Sequence, residues 1–327
     1  MDRQQLEYIF RSGKNPKYIY YTRAYAKLLT PRIFLRLRLA EKLKAAKRRA
    51  DYEYMLQRVN YYNKLSAESY VPSEEWKQKA VEIGKQRKTG QSVYFLDSME
   101  YARWFAPRKQ WVLLPGDVIH VPNVPSIVKS RPIEGDNANS VLLKLDKVRH
   151  FVYMDDKLDF RDKKDMAIFR GGIKTNANRQ LFMNKHFDNP RINAGATDNL
   201  RPEWKKELLT LPAHLAYKFI LSLEGNDVAS NLKWIMSSHS VAIMPRPRYE
   251  TWFMEGTLKP DYHYIEVKPD FSDLDEKMDY YIQHPDEAQA IVRQANEYVA
   301  QFRDEEREDL VSLMTLDKYF NITNGRK

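Results

Sequence analysis

Residues 218–247 constrain the fold of this chain more than any other stretch. The run KFILSL at 218–223 is short, apolar and strand-like, Gly225 interrupts it, and Asn226 and Asp227 carry side chains that cap helices. Val228, Leu232, Ile235 and Met236 then recur at helical spacing, and a second apolar run at 240–244 ends at Pro245. Strand, turn, helix and strand in this order make a βαβ unit, which crosses over right-handed and belongs to a parallel sheet. Such sheets bind ligands beyond the strand C-termini, where the N–H groups of Val228, Ala229 and Ser230 at a helix start would face outward. Small side chains at 229 and 230 let an anion such as a diphosphate approach that backbone. Most junctions of this kind bind nothing, so the stretch sets the class as α/β and only nominates a site.

At 327 residues the chain has room for two domains, and 43% hydrophobic with 13% aromatic residues excludes disorder throughout. Cysteine is absent, which removes disulfides, thiolate metal sites and cysteine nucleophiles together. No apolar run reaches the ~20 residues that span a bilayer, and the N-terminus lacks the apolar core of a signal peptide, so a cytoplasmic protein is expected. The net charge of +10 is uneven. Residues 1–65 hold 16 Lys and Arg against five Asp and Glu, whereas the other 262 residues hold 38 against 39. Basicity is thus the property of an attached arm rather than of a groove that would track nucleic acid.

Four segments follow in order: a basic helical N-terminal segment at 1–65, an acceptor-side α/β domain at 66–164, a nucleotide-binding domain at 165–303, and a tail at 304–327. In the first, good helix formers and a run of Lys and Arg surround Ile33, Leu37, Leu43 and Leu56. Such a helix can lie against an anionic membrane surface, pack on the protein body, or bind RNA. In the second, a Pro-rich loop after the buried-type run 111–114 holds Asp117, His120, Lys129, Arg131 and Asp136. The third opens with DMAIFRGGIKTNANR at 165–179, an apolar strand followed by the flexible Gly171-Gly172 pair and the hydrogen-bonding Thr175, Asn176 and Arg179. Neither GxxxxGK[ST] nor GxGxxG occurs, which argues against ATPase and ordinary dinucleotide chemistry. Ala288, Ile291, Val292, Ala295, Val299 and Phe302 form the apolar face of a helix from about 285 to 303.

FRGG at 169–172, the G-x-x-x-A-S-x-x-K turn from Gly225 to Lys233, and LKPDYHYIEVKPDFSDL at 258–274 occur in the order and spacing of glycosyltransferase family 90. The chain resembles this family over roughly 115–303, and most closely its bacterial branch, which acts on the lipopolysaccharide core. The resemblance implies a GT-B fold of two Rossmann-like domains, a UDP-sugar donor (UDP-glucose or UDP-galactose), inversion at the anomeric carbon, and no required cofactor or metal. It implies a lipopolysaccharide or related glycan acceptor; separately, the charge of the basic segment leads us to expect an anionic inner-membrane surface as its partner, and no nucleic acid. Protein serine or a capsule chain is the alternative acceptor, and a non-catalytic nucleic-acid or lipid-binding module the alternative class.

The same resemblance nominates site residues. Arg170, with Gly171, Gly172, Thr175 and Arg179, would meet the diphosphate, since a guanidinium fork suits its oxygens. Gly225, Ala229, Ser230 and Lys233 would complete the cradle. Where the animal enzymes have an arginine two positions before the family lysine, this chain has Asn231, so Lys233, Lys174 or Arg131 would supply that charge. Glu250 and Glu255 are candidates for sugar hydroxyls, as ionised carboxylates only accept. Asp117 would be the base by its position near the family's acceptor-side aspartate, with Asp136 the rival and His120 third. Asp273-Leu274-Asp275 is read as a capped turn rather than a metal site.

Overall fold

The computed structural model describes residues 12–67, 70–88, 90–174 and 176–325. They form two units. One comprises residues 12–15, Arg149–Arg248 and Glu255–Gln301; the other comprises Pro16–Val148, Tyr249–Met254 and the chain from Phe302 on.

The first unit is built on five strands, β1 (Lys164–Gly171), β2 (Ile192–Ala196), β3 (Tyr217–Leu221), β4 (Val241–Met244) and β5 (Ile265–Glu266). They lie in the order β5-β4-β3-β1-β2, and every neighbouring pair is parallel. Every residue of β3 and β4 is buried, as expected of parallel strands covered on both faces. The helix Ala177–His186 sets Phe182 against Phe169 at 5.2 Å between ring centroids, and the helix Pro285–Ala300 buries Ala288, Ile291, Val292, Ala295 and Val299. This is the apolar face read from the sequence, except that the helix stops at Ala300 and Phe302, together with the Phe253 it packs on, belongs to the second unit.

The expected βαβ crossover is present, but its helix is only Leu232–Met236. Residues 225–228 are bends, closed by Gly225 N–H donating to the Asp227 carbonyl. Asn231 ends this loop by donating from Nδ2 to the Leu221 carbonyl while its Oδ1 meets the Ser222 hydroxyl. The side chain holds the chain back on β3 for ten residues, so Val228, Ala229 and Ser230 precede the helix instead of forming its first turn.

The second unit is helix-rich. Lys17–Leu29, Arg32–Ala46, Tyr52–Tyr62, Ser92–Ala102 and Glu305–Thr323 are its longer helices. Its strands pair two by two: Val81–Glu82 with Gln110–Trp111, Ser130–Pro132 with Tyr249–Thr251, and Ser126–Val128 with Ser140–Leu142. Prolines at 115, 122, 125 and 132 keep these pieces short. Residues 305–323, read as part of a tail, form a helix that packs on Tyr52–Tyr62 and Ser92–Ala102. From Pro16 on, the basic segment belongs to this unit; its residues 1–11 lie outside the described ones.

Helix Lys17–Leu29 docks through polar groups, Tyr20 donating to Asp97 at 2.8 Å and Lys27 to Glu100 at 2.5 Å. Burial pushes the Asp97 carboxyl up to about 6, against the opposing pull of Lys147. Between pH 4 and pH 6 the folded protein therefore holds a proton that the unfolded chain has released. The contribution of this group to stability is complete below about pH 4 and is lost as pH rises through about 6, on the order of 3 kcal/mol in all. Asp97→Asn should flatten the fall of the urea midpoint between pH 4 and pH 7; an unchanged slope would show that Asp97 does not titrate there.

Candidate functional site

Strand order reverses between β1 and β3, and in open parallel sheets the crevice beyond the strand C-termini at that reversal is where ligands bind. Arg170, next to last in β1, reaches across β2. It donates to the Phe169 carbonyl at 2.9 Å, to Asn193 O at 2.7 Å and Oδ1 at 2.9 Å, and to the Glu207 carbonyl at 3.2 Å. Arg179, in the first turn of the helix after β1, donates to Gly172 O at 2.9 Å, Leu223 O at 2.7 Å and Glu224 O at 3.0 Å. Asn176 caps that helix by accepting from Arg179 N–H and donates to Gly225 O at 2.6 Å. The loops after β1 and β3 are thereby strapped together.

All acceptors of the two guanidinium groups are neutral, and among the described residues neither arginine has a carboxylate within ion-pair distance. Burial pushes both below the usual arginine range, while Asp198 opposes this at Arg179 and Tyr217 at Arg170. An arginine stays protonated under such shifts, so the crevice carries two partly desolvated positive charges that, among the described residues, no carboxylate pairs directly. That is a setting for an anion.

The glycines serve this packing. A Cβ at Gly195 would lie 2.6 Å from Lys206 Cβ and 3.1 Å from Arg170 Cζ, and one at Gly225 would lie 3.1 Å from Arg179 Nη2. At Gly171 it would meet the Phe169 ring at 2.9 Å. None of Gly171, Gly172, Gly195 and Gly225 has positive φ, so close approach, not the unusual backbone angles suggested by the sequence, is what requires glycine here.

Asp198, overlooked in the sequence, accepts from the N–H groups of Ile173 at 2.5 Å, Lys174 at 3.0 Å and Leu200 at 3.1 Å. Burial raises its carboxyl, but these backbone hydrogen bonds outweigh burial and hold it below the usual range. Two donors of the glycine loop thus already hold a carboxylate. The only sequence signal was an Asp in a polar turn, A-T-D-N, which is too common to single out.

Arg170, Gly171, Gly172, Arg179, Ser230 and Asn231 line one cavity of about 280 Å³. That holds a diphosphate but falls short of the roughly 300–1,000 Å³ of complete small-molecule sites. Gly225 touches its wall through Arg179 and Asn176, and Ala229 is buried behind it. Lys233 and Glu255 form a buried ion pair at 2.5 Å, with His150 Nδ1 at 3.5 Å from the ammonium. Lys174 is exposed. Thr175 lies outside the described residues.

The remaining candidates belong to the helical unit. Glu250 is buried, accepting from Arg131 Nε at 2.7 Å and from the Tyr61 hydroxyl, so Arg131 also is engaged there. Asp117 is partly exposed and accepts from Lys129 Nζ and, at 3.3 Å, from the Tyr94 hydroxyl. Asp136 is exposed and caps its own turn by accepting from Ala138 N–H, and His120 is exposed. In the sheet unit, Asp273 precedes the helix Leu274–Gln283 and accepts from Lys268 N–H, closing a turn without capping the helix through its side chain. Among the described residues no three His, Asp or Glu side chains form a metal-binding group, and no helix is long and apolar enough to cross a membrane.

Arg179→Met removes three charge-assisted bonds and strands three carbonyls. It should lower stability by about 3 kcal/mol in urea unfolding and speed amide exchange at 171–174 and 223–227. Unchanged exchange in these loops would show that the strap is not what orders them.

The sequence profile of glycosyl transferase family 90 matches residues 141–316, which take in β1 to β5 and the loops described above. Over 268 residues the chain is 40% identical to O-glucosyltransferase LpsA of Dichelobacter nodosus, covering 81% of this chain and 82% of that protein. Protein O-glucosyltransferases 1 and 3 of Rattus norvegicus are each 25% identical, over 42% and 41% of this chain and 37% and 27% of their own lengths. The chain therefore belongs to glycosyltransferase family 90 and is a transferase enzyme.

Proposed function

We propose that the enzyme moves a glucosyl group from UDP-glucose to a lipopolysaccharide core or related surface glycan, with inversion and without an essential metal. The observation that carries this reading is the pair of arginines held only by neutral acceptors at the strand reversal of a chain 40% identical to an O-glucosyltransferase. UDP-galactose is the second donor. In a GT-B arrangement the sheet unit would hold the nucleotide and the helical unit would present the acceptor.

The acceptor hydroxyl oxygen attacks the anomeric carbon as the bond to the diphosphate breaks, and UDP leaves with the electron pair. Arg170 and Arg179 oppose the charge that develops on the diphosphate. They are held by carbonyls beforehand, so they need little reorganisation as that charge appears. Asp117 takes the hydroxyl proton; Lys129 and Tyr94 donate to its Oδ1 and so fix its orientation. Basic side chains of residues 17–49 would keep the enzyme near an anionic, lipid-linked acceptor at the inner membrane face. Protein or capsule acceptors form the second reading, favoured only by the weaker likeness to the two rat enzymes.

UDP release from UDP-glucose and UDP-galactose in the presence of rough lipopolysaccharide, with and without EDTA, tests the reaction. Turnover of one donor that survives EDTA is expected, and turnover abolished by EDTA would sink the metal-free mechanism. Asp117→Asn should cost about 100-fold or more in kcat with donor affinity retained. A loss below about tenfold would move the role of base to Asp136.

A further inference from the structure

The helices Lys17–Leu29 and Arg32–Ala46 meet at a corner, Thr30-Pro31, and a set of their apolar residues faces solvent instead of a core. The first helix buries none of its residues and the second only Ala46. Tyr18, Tyr25 and Leu29 share the outer face of the first, and Ile33, Phe34 and Leu37 that of the second; Leu29 and Leu37 are 82% and 72% exposed. The inner side is held by Tyr20 on Asp97 and Lys27 on Glu100. The corner itself is pinned: the buried Arg103 guanidinium donates to the Lys27 carbonyl at 2.8 Å and to the Thr30 carbonyl. This is a fixed apolar edge, not a loose arm.

Patches of this kind mark an interaction. Residues 17–49 hold eleven Lys and Arg and a single acid, Glu41. A second copy packed two-fold on the same edge would bring like charges together. Anionic headgroups suit the arginines, and acyl chains suit the aliphatic tip. We infer that the 29–37 corner inserts into the outer acyl region of an anionic phospholipid surface. The inference rests on the proposed membrane association and deepens it, since an inserted edge holds in salt where purely electrostatic attraction is screened.

Full-length protein and the variant L29S/F34S/L37S would be co-sedimented with phosphatidylethanolamine–phosphatidylglycerol vesicles in about 0.05 M and about 0.5 M NaCl. Wild type should stay bound in high salt, and the variant should bind at least about tenfold more weakly there. Complete release of wild type by high salt, or equal binding of the variant, overturns insertion. So does a wild-type dimer in light scattering that the variant abolishes, which would assign the edge to a second copy. Because the chain lacks cysteine, Phe34→Cys and Glu53→Cys can each carry one polarity-sensitive dye. A blue shift on vesicles is expected at position 34 and not at 53, and no shift at 34 overturns the inference. Transfer from UDP-glucose to delipidated core oligosaccharide, run in parallel, should be equal in wild type and the triple variant. Its absence in wild type would sink the proposed reaction and leave the vesicle result intact.

Discussion

Three carbonyls, of Gly172, Leu223 and Glu224, converge on the Arg179 guanidinium, and the C-terminal edge of the sheet is organised by that convergence. Strand ends leave carbonyls without ladder partners, and buried ones must find donors. Here one side chain supplies donors to two loops at once, while Arg170 does the same for β2 and the Glu207 carbonyl. The glycines at 171, 195 and 225 follow from this, because any Cβ there would displace the planar groups or what packs beside them. A guanidinium is weakly hydrated and tolerates such partial burial better than an ammonium would.

The same bonds have an electrostatic consequence. Carbonyl acceptors satisfy the N–H groups of an arginine but leave its net charge in place, whereas a carboxylate would cancel it. Arg58 and Arg131 of the helical unit face Glu308 and Glu250 and are neutralised. Arg170 and Arg179 donate only to neutral carbonyl and amide oxygens. The difference separates arginines that hold a unit together from arginines that both hold it and attract an anion. Asp198 is placed to temper the effect, since its carboxylate acts on Arg179 and takes the N–H groups of Ile173 and Lys174. An anion arriving there would meet guanidinium groups rather than a vacant nest of amides.

What the sequence revealed was local and periodic. The strands at 166–169, 218–221 and 241–244 and the helix face at 288–299 were legible because each repeats its signal within a few residues, although the first runs on through Gly171, which the sequence suggested was loop. The length of the crossover helix was not, because it depends on Asn231 reaching back ten residues to Leu221. Lys233 and Glu255 looked like ligands by residue type; their pairing inside the sheet unit joins positions 22 apart and has no sequence signature. Glu250 and Arg131 are further apart still, 119 residues. Composition cannot distinguish a carboxylate that meets a sugar from one that meets an arginine, since both need the same acceptor-only group. The left-handed Phe271, φ +59°, makes a similar point about the 258–274 motif. Its ring is buried against Phe182, and its carbonyl is 3.2 Å from His186 Nε2, so part of that motif serves packing.

The chain leaves the helical unit at 149 and returns to it twice, as Tyr249–Met254 and from Phe302 on. Each return brings one buried carboxylate to one buried arginine of the N-terminal half, Glu250 to Arg131 and Glu308 to Arg58. Glu308 also accepts from Trp252 Nε1 at 2.6 Å, which ties the second return to the first, and Trp252 stacks on Tyr62 at 3.9 Å. Buried ion pairs add little net stability over apolar side chains of similar shape, yet an unpaired member costs about 3–5 kcal/mol. Their value here is in register. An antiparallel strand of three residues such as Tyr249–Thr251 has too few ladder bonds to fix its own pairing with Ser130–Pro132. A slip by one residue would turn Glu250 away from Arg131 and leave two charges buried without partners. The penalty for the wrong alignment, more than any gain from the right one, lets a chain that crosses between units five times close the helical unit around segments remote in sequence.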